Sequence, residues 1–145
     1  FGLSQRLRIS TKVAKAATNA QLKKAAEEHL AETRDQIKKL EQVFMSIGRK
    51  ASGTKCDAIE GLIKEADGLM EESSGTALNA GLLAACQAVE HYEISAYGSA
   101  RSFAQQLGHD RAAQILQHTL DEEKEADLRL SRIAESAVNP AASRI

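Results

Sequence analysis

Four acids stand where helical periodicity calls for apolar side chains. Leu83, Cys86, Glu90, Glu93, Tyr97 and Ala100 follow one another at alternating three- and four-residue steps, and Leu116, Leu120, Glu123, Asp127, Leu130 and Ala134 do the same. That spacing keeps each set on one stripe of a helix. Glu90, Glu93, Glu123 and Asp127 therefore interrupt two inward faces at mid-length. An unpaired carboxylate in such a place costs on the order of several kcal/mol even after relaxation, and a second one beside it adds to the cost. Turning the second of these helices outward would expose Leu116, Leu120 and Leu130, and Glu122, Lys124 and Glu125 already supply its wet face; on the first, Glu90 and Glu93 lie between Cys86 and Tyr97.

Three things can compensate such acids. Bases can pair with them, but Arg101 lies near one end of its stripe and Lys124 is rotated off. The carboxyls can share protons. A pair of bound metal ions accounts for the set better. Glu90 and Glu93 are about one turn apart and can reach one centre, and Glu123 with Asp127 offers a matching pair. Oxygen-rich sites with some imidazole suit iron or manganese better than zinc.

These acids need helices to hold them. Ala, Leu, Glu, Lys, Gln and Arg dominate, and there is a single Pro, no Trp and only 3% aromatic residues, so the expected class is all-α. A first helix over 1 to about 17 has Leu3, Leu7, Val13 and Ala14 as its apolar face. The second, capped by Thr18 or Asn19, runs to about Ile47 with Gly48 as its stop. Its stripe is Leu22, Ala26, His29, Thr33, Gln36, Leu40, Val43 and Ile47, with Glu32 at the inner edge. A short helix over about 55–71 follows a Thr54–Asp57 capping box, and 71–76 reads as a loop. The third long helix spans about 77–107 and ends at Gly108. The fourth, capped by Asp110, spans about 111–137 before a frayed tail at Asn139–Pro140. Long helices with short links predict an antiparallel four-helix bundle with one short helix inserted between long helices 2 and 3.

The remaining candidates divide by position. His29 lies on the second helix's stripe as a ligand, a partner that orients a ligand, or a hydrogen-bonded core histidine. Gln36 continues that stripe. His91 projects about 100° away from Glu90 and does not join the same centre; His109 and His118 read as surface or loop residues. Tyr97 can hydrogen-bond a ligand carboxylate or simply pack.

The 145 residues suit one domain, 1–145. A net charge near −1 with interspersed signs excludes a nucleic-acid footprint, and no apolar run approaches the roughly 20 residues that span a bilayer. Cys56 and Cys86 read as reduced thiols, which points to the cytoplasm.

Glu-His-Leu-Ala-Glu-Thr-Arg-Asp-Gln (28–36), Leu-Glu-Gln-Val-Phe (40–44), Lys-Cys-Asp-Ala-Ile-Glu-Gly-Leu-Ile (55–63), Val-Glu-His-Tyr-Glu-Ile-Ser-Ala-Tyr-Gly (89–98) and Glu-Glu-Lys-Glu-Ala-Asp (122–127) resemble the bacterial YciE/YciF-type stress proteins. The resemblance runs from about Lys12 to Ala137. It implies a ferritin-like bundle related in fold to rubrerythrins, a homodimer, and a dinuclear iron or manganese site whose acids fall on Glu32, Glu90, Glu93, Glu123 and Asp127. His29, Gln36 and Tyr97 are candidates to hydrogen-bond that set. One departure stands out: the family's first-helix Glu falls at Leu3, and Ile-Ser-Thr (9–11) replaces the usual Ala-Leu-Pro. The expected function is a metal-binding stress protein oxidising Fe(II) or turning over peroxide. Two alternatives are a non-catalytic dimeric stress protein with an empty site, and a module that binds a partner through the 55–71 helix.

Overall fold

The computed structural model describes residues 3–144 and the side chains of residues 5–144. Its long helices are α1 (Leu3–Ala16), α2 (Ala20–Ser46), α4 (Gly75–Gln106) and α5 (Asp110–Ile133). The shorter α3 (Asp57–Glu72) joins α2 to α4. After α5 a π-helical turn (Ala134–Val138) leads into a short α6 (Asn139–Ala142). No strand occurs among the described residues. Helices α1 and α5 run one way and α2 and α4 the other, so neighbours in the bundle are antiparallel. The segment 47–56 and α3 carry the chain back along it.

Two apolar regions hold the bundle. One gathers Ile9, Val13, Leu22, Ile59, Ile63, Leu82, Val89 and Leu130 from α1 through α5, and Val138 beyond them. The other, formed by α2, α4 and α5, holds Val43, Tyr97, Ala104, Ala112, Leu116 and Leu120. Between them lies a layer of buried polar side chains: Arg6, Thr33, Gln36, Glu90, Glu93 and Glu123. α4 is about 48 Å long and α1 only about 21 Å. The N-terminal end of α1 therefore meets this polar layer.

The stops behave as the sequence implies. Gly48 (φ 67°) and Gly108 (φ 72°) take the left-handed conformation that a side chain disfavours. At the second, Gly108 N–H donates to Gln105 C=O (3.1 Å) and His109 N–H to Ala104 C=O (2.8 Å), closing the open carbonyls of α4. Asn19 caps α2 by accepting from Gln21 and Leu22 N–H, both at 3.0 Å.

Five local expectations are corrected. Thr54 stays outside α3. Gln5 takes both the N–H (2.8 Å) and the C=O (3.1 Å) of Cys56, which becomes the residue before the helix. The 71–76 loop shrinks to Ser73 and Ser74, because Glu71 and Glu72 complete α3 and Gly75 opens α4. α5 begins at Asp110 rather than after it: His109 N–H is tied to the end of α4, so His109 holds the capping position. The tail is not frayed at 138–140, since Val138 is buried in the core and Pro140 sits in the first turn of α6, where its missing N–H costs nothing. The inward face of α1 is Gln5, Arg6, Ile9, Ser10, Val13 and Ala14, so Val13 and Ala14 are buried as expected while Leu7 is only half-buried. The face is centred further toward Arg6 because apolar periodicity alone leaves out a charged residue that packs inward. Leu3, where the family's glutamate was expected, has its side chain outside the described residues.

Thr18 does not cap α2. Its N–H and that of Asn19 donate to Asn79 Oδ1 of α4 (2.9 and 3.2 Å), while Asn79 Nδ2 donates to Thr18 Oγ1 at 2.8 Å. Asn79 is buried, so Asn79→Ala leaves two amide donors unmet. It is expected to lower the urea-unfolding free energy by about 1–3 kcal/mol, and Asn79→Asp, which keeps the acceptor, should lower it less.

Candidate functional site

The charged layer is centred on a residue the acid pattern did not include. Arg6 is fully buried. Its Nη1 donates to Gln36 Oε1 at 2.7 Å, its Nη2 lies 3.1 Å from both oxygens of Glu123, and its Nε pairs with Glu93. Nη2 also lies 2.9 Å from His29 Nε2. A guanidinium has no acceptor atom, so His29 must accept there and carry its own proton on Nδ1. That places the Nδ1 proton toward Glu32 Oε2, 3.6 Å away.

Glu90 stands against the same imidazole, its Oε1 3.2 Å from His29 Nε2, and against Glu123. Burial comes first, then the hydrogen bond and charge of Glu123, and together they raise Glu90 well above the usual carboxyl range. A neutral Glu90 can donate to Glu123, which a carboxylate cannot, while the lone pair of His29 Nε2 is taken by Arg6. Burial also raises Glu93, to about 8, against the opposing pull of Arg6. Arg6 stays charged. Burial alone would lower it, but Glu93, Glu123 and Glu90 together hold it above its ordinary value. The Tyr97 hydroxyl, buried beside the layer, is raised by burial and by Glu93.

Of the predicted site residues, Glu90, Glu93, Glu123, His29 and Gln36 come together, with Tyr97 adjoining. Glu32 is at the rim, half-exposed, and is held below its ordinary value by His29 and then Arg129, whose Nη2 lies 3.4 Å from it. Asp127 does not join. It accepts from Gln87 Nε2 at 3.0 Å and pairs with exposed His91 at 3.0 Å. The inward stripe of α5 passes through Ala126 instead, one residue away, because three- and four-residue steps are both permitted between Glu123 and Leu130. Cys86 lines a small cavity of about 30 Å³ against His29 and Glu90, and burial with Glu90 pushes its thiol up to about 12. Arg6 was legible in one respect: it lies seven residues before Val13 and three before Ile9, on the stripe those residues define.

This donor set does not fit two resident metal ions while Arg6 is in place. The oxygens of Glu93 and Glu123 that would bridge or terminate such a centre are engaged by Nε and Nη2, and Asp127 is turned away. Among the described residues the metal-like grouping is smaller: one ligand atom each from His29, Glu90 and Glu123, all within 4.8 Å of one another. No helix among the described residues is long and apolar enough to cross a membrane.

A family model described as a domain of unknown function, DUF892, matches residues 4–143. The chain is 42% identical over 137 residues to protein YciF of Escherichia coli strain K12, spanning 93% of this chain and 82% of that protein. The crystal structure of the E. coli stress protein YciF superposes with a TM-score of 0.90 at 41% identity, over 95% of this chain and 88% of that one. YcfI of Rhodopseudomonas palustris, described as a candidate structural protein, superposes with a TM-score of 0.86 at 44% identity, over 90% and 83% of the two chains.

The raised carboxyls give the fold a definite pH dependence. Unfolded, Glu90 and Glu93 titrate near 4.3; folded, both bind their protons more tightly, so the folded state holds more protons over the interval between. Their contribution is complete below about pH 4, and the part due to Glu93 is lost as pH rises through about 8. Unfolding by urea is expected to show stability falling from pH 5.5 to 8.5, by at most about 1.4 kcal/mol per pH unit per proton. Glu90→Gln, neutral at every pH, should flatten the slope. A rising slope in the wild type would contradict the assignment.

Proposed function

This chain belongs to the DUF892 family of YciF-type stress proteins, and we propose that its part in stress tolerance is structural rather than catalytic. On this reading the acid layer is neutralised by Arg6 and by protons on the carboxyls, and no two-metal oxidoreductase centre resides in it. The observation that carries the reading is the fully buried guanidinium set among Glu93, Glu123, His29 and Gln36. The likeness to YcfI, described as a candidate structural protein, points the same way. Homodimerisation belongs to the reading. Met45, Phe103 and Leu107 are exposed by 74, 65 and 71% at the end where α2 and α4 finish, an apolar surface suited to a second copy.

Metal analysis of the protein purified from cells supplied with iron and manganese tests the central claim. No stoichiometric metal and no acceleration of Fe(II) oxidation over buffer are expected; an equivalent or more of either metal, with Arg6 intact, would overturn it. Arg6→Met is expected to lower stability by about 3–5 kcal/mol, because it leaves buried carboxyls without their counter-charge. Light scattering should give a dimer mass, reduced to the monomer by Phe103→Ser with Leu107→Ser.

A further inference from the structure

The polar layer offers more ligand atoms than one guanidinium can use. Glu90 is buried to more than nine-tenths, and its Oε2 finds no N–H donor among the described residues. Its other oxygen faces His29 Nε2, and these two with a Glu123 oxygen form a set within 4.8 Å. Atoms so spaced can surround a single ion with bonds of about 2.0–2.2 Å after small side-chain adjustments. Glu93 lies on the same stripe of α4, one turn from Glu90, and adds a fourth donor.

What contests these atoms is one side chain. Arg6 Nη2 approaches both His29 Nε2 (2.9 Å) and Glu123 (3.1 Å), and Arg6 Nε takes Glu93. An ion on His29 and Glu123 would be in the guanidinium's place, and two cations cannot share that volume or those lone pairs. Arg6 comes from α1, the shortest of the four bundle helices, and sits near its first turn. It is therefore delivered to the layer by the element with the least length of packing behind it.

We propose that Arg6 is a built-in plug for a single divalent-cation site formed by His29, Glu90, Glu93 and Glu123, and that a cation binds there only when the guanidinium is withdrawn. The inference rests on the structural reading above and extends it: the layer is metal-free because of one residue, not because its ligands are lost. Three carboxylates and one imidazole select a borderline-hard first-row ion such as Mn²⁺, Fe²⁺ or Co²⁺.

The experiment compares the full wild-type chain with Arg6→Gln, titrating each with Co²⁺ and Mn²⁺ and reading the visible Co²⁺ spectrum and the melting temperature. In Arg6→Gln, one Co²⁺ per chain should bind, with a ligand-field band and a raised melting temperature. Affinity should exceed that of the wild type by about a hundredfold or more, since no buried ion pair has to break first. Arg6→Gln combined with Glu123→Gln should lose the band. If Arg6→Gln is unfolded alone, refolding on addition of Mn²⁺, read by circular dichroism, supports the plug. A folded Arg6→Gln chain that, like wild type, binds no ion overturns the plug and leaves the structural reading standing, as does a chain that stays unfolded with Mn²⁺. Wild type binding one ion as tightly as the variant overturns both.

Discussion

One positive charge inside a dry bundle organises this protein. A guanidinium fully removed from water is tolerable only when each of its faces meets an acceptor, and Arg6 finds Gln36, His29, Glu93 and Glu123. Those acceptors come from α2, α4 and α5. A single side chain from α1 therefore ties all four long helices together at mid-length. The carboxyls in turn tolerate burial only because Arg6 and their own protons limit the charge. Each half of the arrangement offsets the cost of burying the other.

The polar layer also divides the core. Apolar packing on one side involves α1 and α3, while on the other it is confined to α2, α4 and α5. The layer is wired outward at two points. Gln36 Nε2 donates to Glu122 (3.2 Å), which pairs with Lys39 near the surface. On the other side His29 approaches Glu32, which meets Arg129. Such networks favour one helix register over others, because a one-residue slip would strand several buried polar groups at once.

Much of the fold was legible because helical periodicity is a strong local signal. Leu83, Glu90, Glu93, Tyr97, Leu116, Leu120, Glu123 and Leu130 are buried as their spacing requires, and Gly48 and Gly108 end their helices as glycines do. The errors share a cause. Asp127 and Ala126 are equally allowed by a three-or-four step, and only the neighbour across the groove, with Gln87 and His91 waiting for a carboxylate, decides which turns inward. Cap positions failed where long-range contacts claimed the local groups, as when Gln5 took the backbone of Cys56.

The pairing of Arg6 with the acids is the clearest case. By itself the sequence determined the helices, their inward stripes and the presence of uncompensated acids on two of them, since all of these follow from spacing within one element. It did not determine what compensates those acids. Arg6 lies 87 residues from Glu93 and 117 from Glu123, and no periodicity links residues on different helices. Only the packing of α1 against α2 and α3 brings the guanidinium to the carboxyls, because the free energy that selects a counter-charge depends on distance in space and on exclusion of water, which tertiary structure alone supplies.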